Sequence, residues 1–537
     1  MATESRPLLI VGAGPVGLTM ANELARHGVN CRIVDQAPSV PETSRALGIF
    51  PRTLEVFSSM GIADRFLAAG HRIDGISIHQ QSEGALTIDF AAVESPFPFV
   101  LSLPQAETER LLCQQLASKG IEVERGLTFS GLEQTNDFVR ATLRHPDGGE
   151  EICETSWLFG CDGAHSATRH ALGMEFSGAQ YDESFLLADV QANPAPDRSH
   201  LHLFFSPDGI FGLIPFGHDN WRIIANIPPD SRTHETAELT LAEVQALTDI
   251  RGPAGTRLSD PLWMSRFHIS HRKVNDFRKL RVFLLGDAAH IHSPAGGQGM
   301  NTGIQDAFNL AWKVALVTRG YAHANLLASY QLEREPVARS VINFTDRITR
   351  FATLRNPIVQ GMRDLLLPVI KGAGIVSDKA AEQLSEVAIS YRQSPFVEST
   401  TGGRLRAGDR APDAELRDAN GQAHRLFEVF RAPRHVLLLF LGSGGDLSAR
   451  AAALGPALER LVPDLIDSYR IARGEGSHSA ELIDLPGNAH SAYDLNGGGV
   501  ILVRPDGYVA FRDREFDPAR LRSYLSRIFN LGGNAKL

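Results

Sequence analysis

Cysteine is scarce in this chain. The 537 residues contain four, Cys31, Cys113, Cys153 and Cys161, none of them in a CxxC pair. That suggests neither a disulfide framework nor a zinc site, and it fits reduced thiols in a cytoplasmic protein with no metal. No surplus of positive charge exists either. Lys and Arg number 53 against 62 Asp and Glu, a net charge of −9 that argues against nucleic acid as a partner. A long uninterrupted apolar run is also missing. The apolar start at Leu8 is cut by Gly12, Gly14 and Pro15, so it suits neither a membrane span nor a signal peptide. Pro357–Val376 is fairly apolar but carries Arg363, Asp364 and Lys371, and reads as an amphipathic helix packed on the body.

What remains is ordinary globular composition, 43% hydrophobic and 21% charged, in a chain long enough for several domain-sized units. The start reads strand, helix, strand: Pro7–Val11, then Pro15–His27 with Leu18, Ala21, Leu24 and Ala25 on one side, then Cys31–Val34. Pro51 opens another helix, where its missing N–H costs nothing. Glu107–Ala117 reads as helix and Trp157–Cys161 as strand. From about Phe185 to Ile269 the period changes to two, as in Leu201, Leu203 and Phe205 alternating with His200, His202 and Phe204. Trp221, Ile223, Ala225 and Ile227 continue one face and read as core, whereas His200 and His202 read as solvent-facing. Arg281–Leu285 is a further strand, followed by a helical region from Gly299 to Phe351. The Gly- and charge-rich stretch Ser399–Arg410 marks a boundary. Beyond it His435–Leu441, Gly499–Val503 and Tyr508–Arg512 read as strands and Asp517–Phe529 as a closing helix.

Three motifs carry chemistry. In Gly12-Ala13-Gly14-Pro15-Val16-Gly17 the glycines allow a tight strand-to-helix turn, close approach to a pyrophosphate and close helix packing. The helix that follows offers free N–H groups to phosphate, and Asp35, closing the second strand, can accept from ribose hydroxyls. The second motif is Cys161-Asp162-Gly163-Ala164-His165-Ser166-Ala167-Thr168-Arg169. The third is Gly286-Asp287-Ala288-Ala289-His290, leading into Pro294-Ala295-Gly296-Gly297-Gln298-Gly299-Met300-Asn301 and a helix. Each of the last two follows an apolar strand, and taken alone each is only a turn.

In this order the three motifs resemble the FAD-dependent aromatic hydroxylases, the group A flavoprotein monooxygenases that include the para-hydroxybenzoate, phenol and polyketide hydroxylases. Ser44–Ile49, Pro51–Glu55, Leu103-Pro104-Gln105 and Thr108–Leu112 extend the likeness, which covers roughly residues 5–350. It implies an α/β fold, with a Rossmann-like FAD-binding domain (1–180 and 276–398, the latter with a helical extension) and an inserted mixed β-sheet substrate domain (181–275). Residues 403–537 resemble the thioredoxin-like C-terminal domain of the phenol and polyketide hydroxylase branch, through Gly408–Asp413 and Leu502–Gly507. No cysteine follows Cys161, so dithiol chemistry is excluded there.

The resemblance also implies roles. Gly12, Gly14, Pro15, Val16 and Gly17 hold the FAD pyrophosphate and Asp35 the adenosine ribose. Arg45 and Gln105 contact the pyrophosphate or ribityl chain, Asp162 serves FAD and nicotinamide use, and Asp287 binds the ribityl chain. Pro294, Gly297, Gly299, Met300 and Asn301 border the isoalloxazine ring. The bland alternative for Arg45 and Arg169 is a surface ion pair. The implied reaction is hydroxylation of a small aromatic, phenolic or polyketide-like substrate with NADPH or NADH and O₂ through a C4a-hydroperoxyflavin, in a chain that could form a homodimer. Pocket candidates are Phe211 or Phe216, on opposite faces of one strand, with Phe97 and Phe99 of the Ser95–Leu101 loop. The phenol branch carries an Asp in its Arg-Ala-x-Gly stretch where this chain has Leu47, so the substrate base is unassigned. A flavin halogenase is disfavoured because Trp221-Arg222-Ile223-Ile224 does not match the Trp-x-Trp-x-Ile-Pro signature. Baeyer–Villiger oxidation, epoxidation and a flavin dehydrogenase remain alternatives. A non-catalytic binding protein would need vestigial motifs, and all three are intact.

Overall fold

The computed structural model describes residues 6–531 apart from 42–45, 81–85, 207–208, 228–237, 294–295, 354–373, 401, 443–449, 451–452, 456, 459 and 475–480. Arg45, Pro294 and most of the stretch read as the Pro357–Val376 helix lie outside the described residues; Gly374 begins a helix that runs to Leu384.

Short runs of aliphatic residues make the first sheet. Its order is Arg278–Lys279, Val282–Leu284, Leu158–Gly160, Leu8–Val11, Cys31–Asp35, Val123–Arg125, parallel except at the 278–279 edge. The three central strands are buried throughout, as strands covered on both faces must be. Register then decides where the motifs fall. Val11 pairs with Gly160, and Gly160 with Leu284. The chain therefore leaves the sheet at one common edge, at Gly12, Cys161 and Leu285. Leu8–Val11 lies between Leu158–Gly160 and Cys31–Asp35, so the connections on its two sides diverge and open a crevice at the strand ends.

The period-2 segment forms an eight-stranded mixed sheet, and here the sequence boundaries needed revision. Gly75–Gln80 and Leu86–Asp89 join it at one side and His290–Ile291 at the other, so strands from both neighbouring segments complete it. Its longest strands, Ser177–Asn193 and Arg257–Lys273, are 17 residues each and run antiparallel to each other. One face is sealed by helix Leu241–Arg251. Phe211, Leu213, Trp221, Ile223 and Ala225 are buried on that face with Val244.

Helix Gly299–Thr318 links the parts. Its N-terminus meets the cofactor sheet, and its far end contributes Trp312 and Leu316 to a core shared with Leu437, Leu439, Leu502 and Phe529. Leu437, Leu439 and Leu502 belong to the C-terminal mixed sheet, built from His435–Phe440, Ile466–Arg473, Gly499–Val503 and Val509–Asp513 with shorter edge strands, and Phe529 follows the closing helix Pro518–Ile528. One edge strand is Glu398–Ser399, on the near side of the sequence boundary, paired with Phe511–Arg512. Among the described residues no helix is long and apolar enough to cross a membrane.

Candidate active site

The glycines of the first motif are fixed by contact. Gly12 has φ +102°, and a Cβ there would lie 2.4 Å from the Cys161 carbonyl oxygen; one at Gly17 would lie 1.9 Å from the Gly12 oxygen. A Cβ on Gly14 would meet nothing within 4 Å. So two glycines close the turn on the second motif, and the third leaves open space at the start of helix Pro15–Arg26. Asp35 stiffens the turn by accepting from Ala13 N at 2.6 Å and Ala37 N at 2.7 Å. The carboxylate expected to meet a ribose thus also orders the loop that would hold the phosphates.

Val16 joins the first motif to the third. A Cβ on Gly286 (φ +54°) would lie 2.9 Å from a Val16 methyl, and one on Gly303 would lie 2.6 Å from it. The second motif is joined to the third by Arg169. This residue is buried, donates to the carbonyls of Ala288 at 3.0 Å and Ala164 at 2.8 Å, and lies over the Phe176 ring at 3.9 Å. It is no surface ion pair. Asp162 accepts from Ser166 Oγ at 2.6 Å, Thr168 N at 2.9 Å and Thr168 Oγ1 at 3.0 Å, so its carboxylate shapes the motif's own turn. Asp287 occupies an exposed position between buried Gly286 and Ala288.

Asn301 fixes the start of helix Gly299–Thr318. Its Oδ1 accepts from Phe50 N at 2.9 Å, and its Nδ2 donates to the carbonyls of Gly48 at 2.9 Å and Gly297 at 3.2 Å. Gly297 holds φ +64°, and Met300 packs half-buried on the main core. Gln105, half-buried, donates to Glu109 at 2.8 Å, and burial raises the Glu109 carboxyl above its usual range.

These residues fit FAD. Helices Pro15–Arg26 and Gly299–Thr318 both begin without a side-chain cap, as do Pro51–Ser59 and Ala63–Ala69, so it is the start of the first two at the crevice and not the missing cap that singles them out. Uncapped helix starts at one crevice leave N–H donors and positive dipole for a ligand. Near the second, Gln298 Oε1, Gln305 Oε1 and His290 Nδ1 are buried and have no hydrogen-bond partner among the described residues.

Of the pocket candidates, Phe211 is overturned. It is fully buried on the face under helix Leu241–Arg251, because it pairs with Ala225 and so shares Trp221's side. Phe216 lies on the opposite face, with Ile214, Arg222 and Ile224. That face turns toward the cofactor region: Ile214, Leu201 and Ile76 pack with Phe50, Ile73 and Val100, and Phe50 lies 3.4 Å from a Cβ built on Gly297. Leu203 and Ile224 close over Gly212, where a Cβ would come 3.2 and 2.8 Å from them. Alternation marked these apolar residues only as one of two faces, and only the pairing register tells which one faces the crevice. Phe99 belongs to the cofactor unit's core with Phe97 edge-on at 6.3 Å. His202 is a second correction. It is buried, not solvent-facing, bonded to His79 at 2.9 Å and to the Asp197 carbonyl at 2.8 Å, because strand Gly75–Gln80 covers the edge that the sequence left open.

The comparisons with known proteins agree with this geometry. The FAD binding domain family model matches residues 6–345, and the model for the aromatic-ring hydroxylase C-terminal region matches residues 405–531. The chain is 34% identical over 532 residues to a 6-methylpretetramide 4-monooxygenase of Streptomyces rimosus, covering 97% of this chain and 93% of that one. It is 33% identical over 520 residues to a pentachlorophenol 4-monooxygenase of Sphingobium chlorophenolicum, covering 94% and 93%. Among solved structures, the anhydrotetracycline hydroxylase from Streptomyces rimosus superposes with a TM-score of 0.78 at 30% identity, covering 97% of this chain and 99% of that one. With these matches over a crevice built for a dinucleotide, the chain belongs to the FAD-dependent aromatic-ring hydroxylases and is a flavoprotein monooxygenase.

Proposed function

We propose that the protein hydroxylates a phenolic aromatic substrate, single-ring or fused-ring, using NAD(P)H and O₂. The observation that carries this reading is the meeting of three motifs and two uncapped helix starts at one crevice, beside the apolar sheet face of Leu201, Leu203, Ile214 and Ile224. The names of relatives that act on pentachlorophenol and anhydrotetracycline support both sizes of substrate.

In this reading Gly14 and the helix behind it receive the pyrophosphate, and Asp35 receives the adenosine ribose while holding the turn. Asp287, the exposed carboxylate of the third motif, takes the ribityl hydroxyls. The backbone of Gly299–Asn301 would border the flavin ring, where the helix dipole would favour negative charge. When bound, the flavin supplies the electron transfer and oxygen activation that no side chain can. The sheet face excludes water and orients the ring to be oxidised. Residues 1–180 and 276–398 then serve FAD, 181–275 with its added strands the substrate, and the cysteine-free, thioredoxin-like 403–537 stability. A cytoplasmic setting fits four free cysteines.

The test is a screen of simple phenols and fused-ring phenols, following NAD(P)H and O₂ consumption and product mass with labelled O₂. One labelled oxygen per product, with FAD released on denaturation, is expected. In parallel, Asp287→Ala should weaken FAD retention by about 1–3 kcal/mol through loss of an acceptor for a sugar hydroxyl. Label arriving only from water, or a protein that carries no flavin, would overturn the reading.

A further inference from the structure

Helix Gly299–Thr318 has an acid behind its first turns that no motif accounts for. Glu386 is 2% exposed and sits in left-handed backbone, φ +61°, a conformation uncommon for a non-glycine residue and retained where surroundings impose it. Its Oε1 accepts from Thr302 Oγ1 at 2.9 Å and its Oε2 from Gln305 Nε2 at 2.5 Å. Both donors are neutral. The segment before it is stitched to the same crevice: Gln298 donates to the Gln383 carbonyl at 3.1 Å, and Arg52 N to the Ser385 carbonyl at 3.2 Å.

The charged groups facing Glu386 come from two helices. Asp306 lies on the same helix as Thr302 and Gln305, and Arg334 lies on helix Ser329–Thr353. Arg334 is committed elsewhere, to Asp306 Oδ1 at 2.6 Å, Tyr391 Oη at 2.9 Å and the Thr302 carbonyl at 3.0 Å. A buried carboxylate with only neutral donors holds its proton more strongly than a solvated one.

We propose that Glu386 is a positioning residue for the cofactor helix that also sets its charge, keeping a proton when negative charge develops at the helix start and yielding it when none does. Burial, opposed by the two hydrogen bonds and by Arg334, places its titration at about 7, where a proton can move either way. The proposal rests on the pyrimidine edge of the flavin lying at Gly299–Asn301. A hydride from the reductant, two electrons with one proton, would leave one negative charge there; one solvent proton onto a Glu386 oxygen would offset it, and reoxidation would return that proton to solvent.

The experiment compares midpoint potentials of FAD-loaded wild type and Glu386→Gln from pH 5.5 to 8.5 in dithionite titrations. Glutamine retains the shape and stays neutral. At pH 5.5 the two proteins should coincide. At pH 8.5 the variant should be easier to reduce, with its reduced-to-oxidised ratio higher on the order of tenfold at a fixed ambient potential. Reduced-minus-oxidised infrared spectra of wild type near pH 7 should gain a protonated-carboxyl band that Glu386→Gln lacks, a readout that packing alone would not move. Potentials that run parallel at every pH with FAD still bound, or the absence of that band, would overturn the proposal while leaving the assignment of FAD intact. Should Glu386→Gln not fold, the wild-type band decides alone. A wild type that holds no FAD would instead sink the functional reading beneath it.

Discussion

Two acids lie fully buried against helix Gly299–Thr318, and their surroundings are opposite. Glu386 touches its first turns, and among the described residues its donors are Thr302 and Gln305, both neutral. Glu333, on the neighbouring helix, faces its later turns and accepts from Lys313 at 2.7 Å, Arg504 at 2.7 and 2.9 Å, Asn309 at 2.8 Å and Ser394 at 2.8 Å. Burial raises Glu386 to about 7, whereas two cations hold Glu333 well below the usual carboxylate range. Equal burial therefore goes with opposite shifts, and the partners decide the direction. The paired end joins the cofactor unit to the C-terminal unit, since Arg504 sits in the turn between strands Gly499–Val503 and Val509–Asp513. Arg52 extends that joint by donating to the Asp506 carbonyl at 2.7 Å. The end whose acid accepts from Thr302 and Gln305 is the one at which the proposed reading puts the flavin.

The comparison breaks first at Glu333. Glu333→Ala removes the carboxylate that Lys313 and Arg504 share, leaving Lys313 its bond to Asn309 and Arg504 its pair with Asp506 in a buried joint; burial already lowers Lys313 to about 8 with Glu333 present. Removing one member of a buried ion pair costs about 3–5 kcal/mol. Denaturant unfolding of the full chain should register that loss, with the C-terminal unit separating from the cofactor unit before FAD is released. A variant within 1 kcal/mol of wild type would mean that the apolar contacts of Trp312 and Leu316 hold the joint alone.

Glu386 gives the second, smaller effect, and its sign differs. Its value in the folded protein, about 7, lies above the ordinary carboxylate value near 4.3. The folded state thus binds the proton more tightly than the unfolded state does. The stability this contributes is fully present below the ordinary value and is lost as pH rises through about 7. Between pH 5 and pH 8.5 the wild type should lose up to about 3 kcal/mol relative to Glu386→Gln, whose side chain does not titrate. Unfolding midpoints of the two proteins across that range measure the difference. A gap that stays constant with pH would show that Glu386 does not change charge there.

The two ends also differ in how far they could be read in the sequence. The cofactor crevice was legible because its determinants are local: a glycine turn, an acid at a strand end and a helix start each occupy fewer than a dozen consecutive residues, and the strand order aligns them. The mixed sheet was legible as alternation, and Trp221 correctly as core. Its pocket face was not, since Phe211 and Phe216 lie on opposite faces of one strand and differ in what covers each face. His202 looked exposed because its partner His79 is more than a hundred residues earlier in the chain. Glu333 and Glu386 carried no signal, and Arg504 stood out only as part of the Leu502–Gly507 stretch, not as an ion-pair partner. Charged residues in isolation read as surface, and these are buried by contacts between segments far apart in sequence.

The smallest effect sharpens the comparison most. Thr302 gives Glu386 one of its two hydrogen bonds, through a hydroxyl that is fully buried. Its carbonyl serves Arg334 independently and stays in place in Thr302→Val, which keeps the branched shape. A hydrogen bond to a neutral group contributes about 0.5–1.5 kcal/mol net, and one to a charged group about 1.5–3 kcal/mol. At pH 5.5, with Glu386 protonated, the variant should therefore lose about 1 kcal/mol. At pH 8.5, with Glu386 ionised, it should lose about 2 kcal/mol, and the titration itself should move upward because the charged form has lost a donor. The same substitution cannot act this way on Glu333, whose donors are all elsewhere. Unfolding midpoints of Thr302→Val, alone and combined with Glu386→Gln, test the argument. In the double variant the extra loss at high pH should vanish, because no charge is left for the hydroxyl to stabilise. If it persisted, the hydroxyl would be acting on helix packing, and the contrast between the two ends of the helix would have to rest on Glu333 alone.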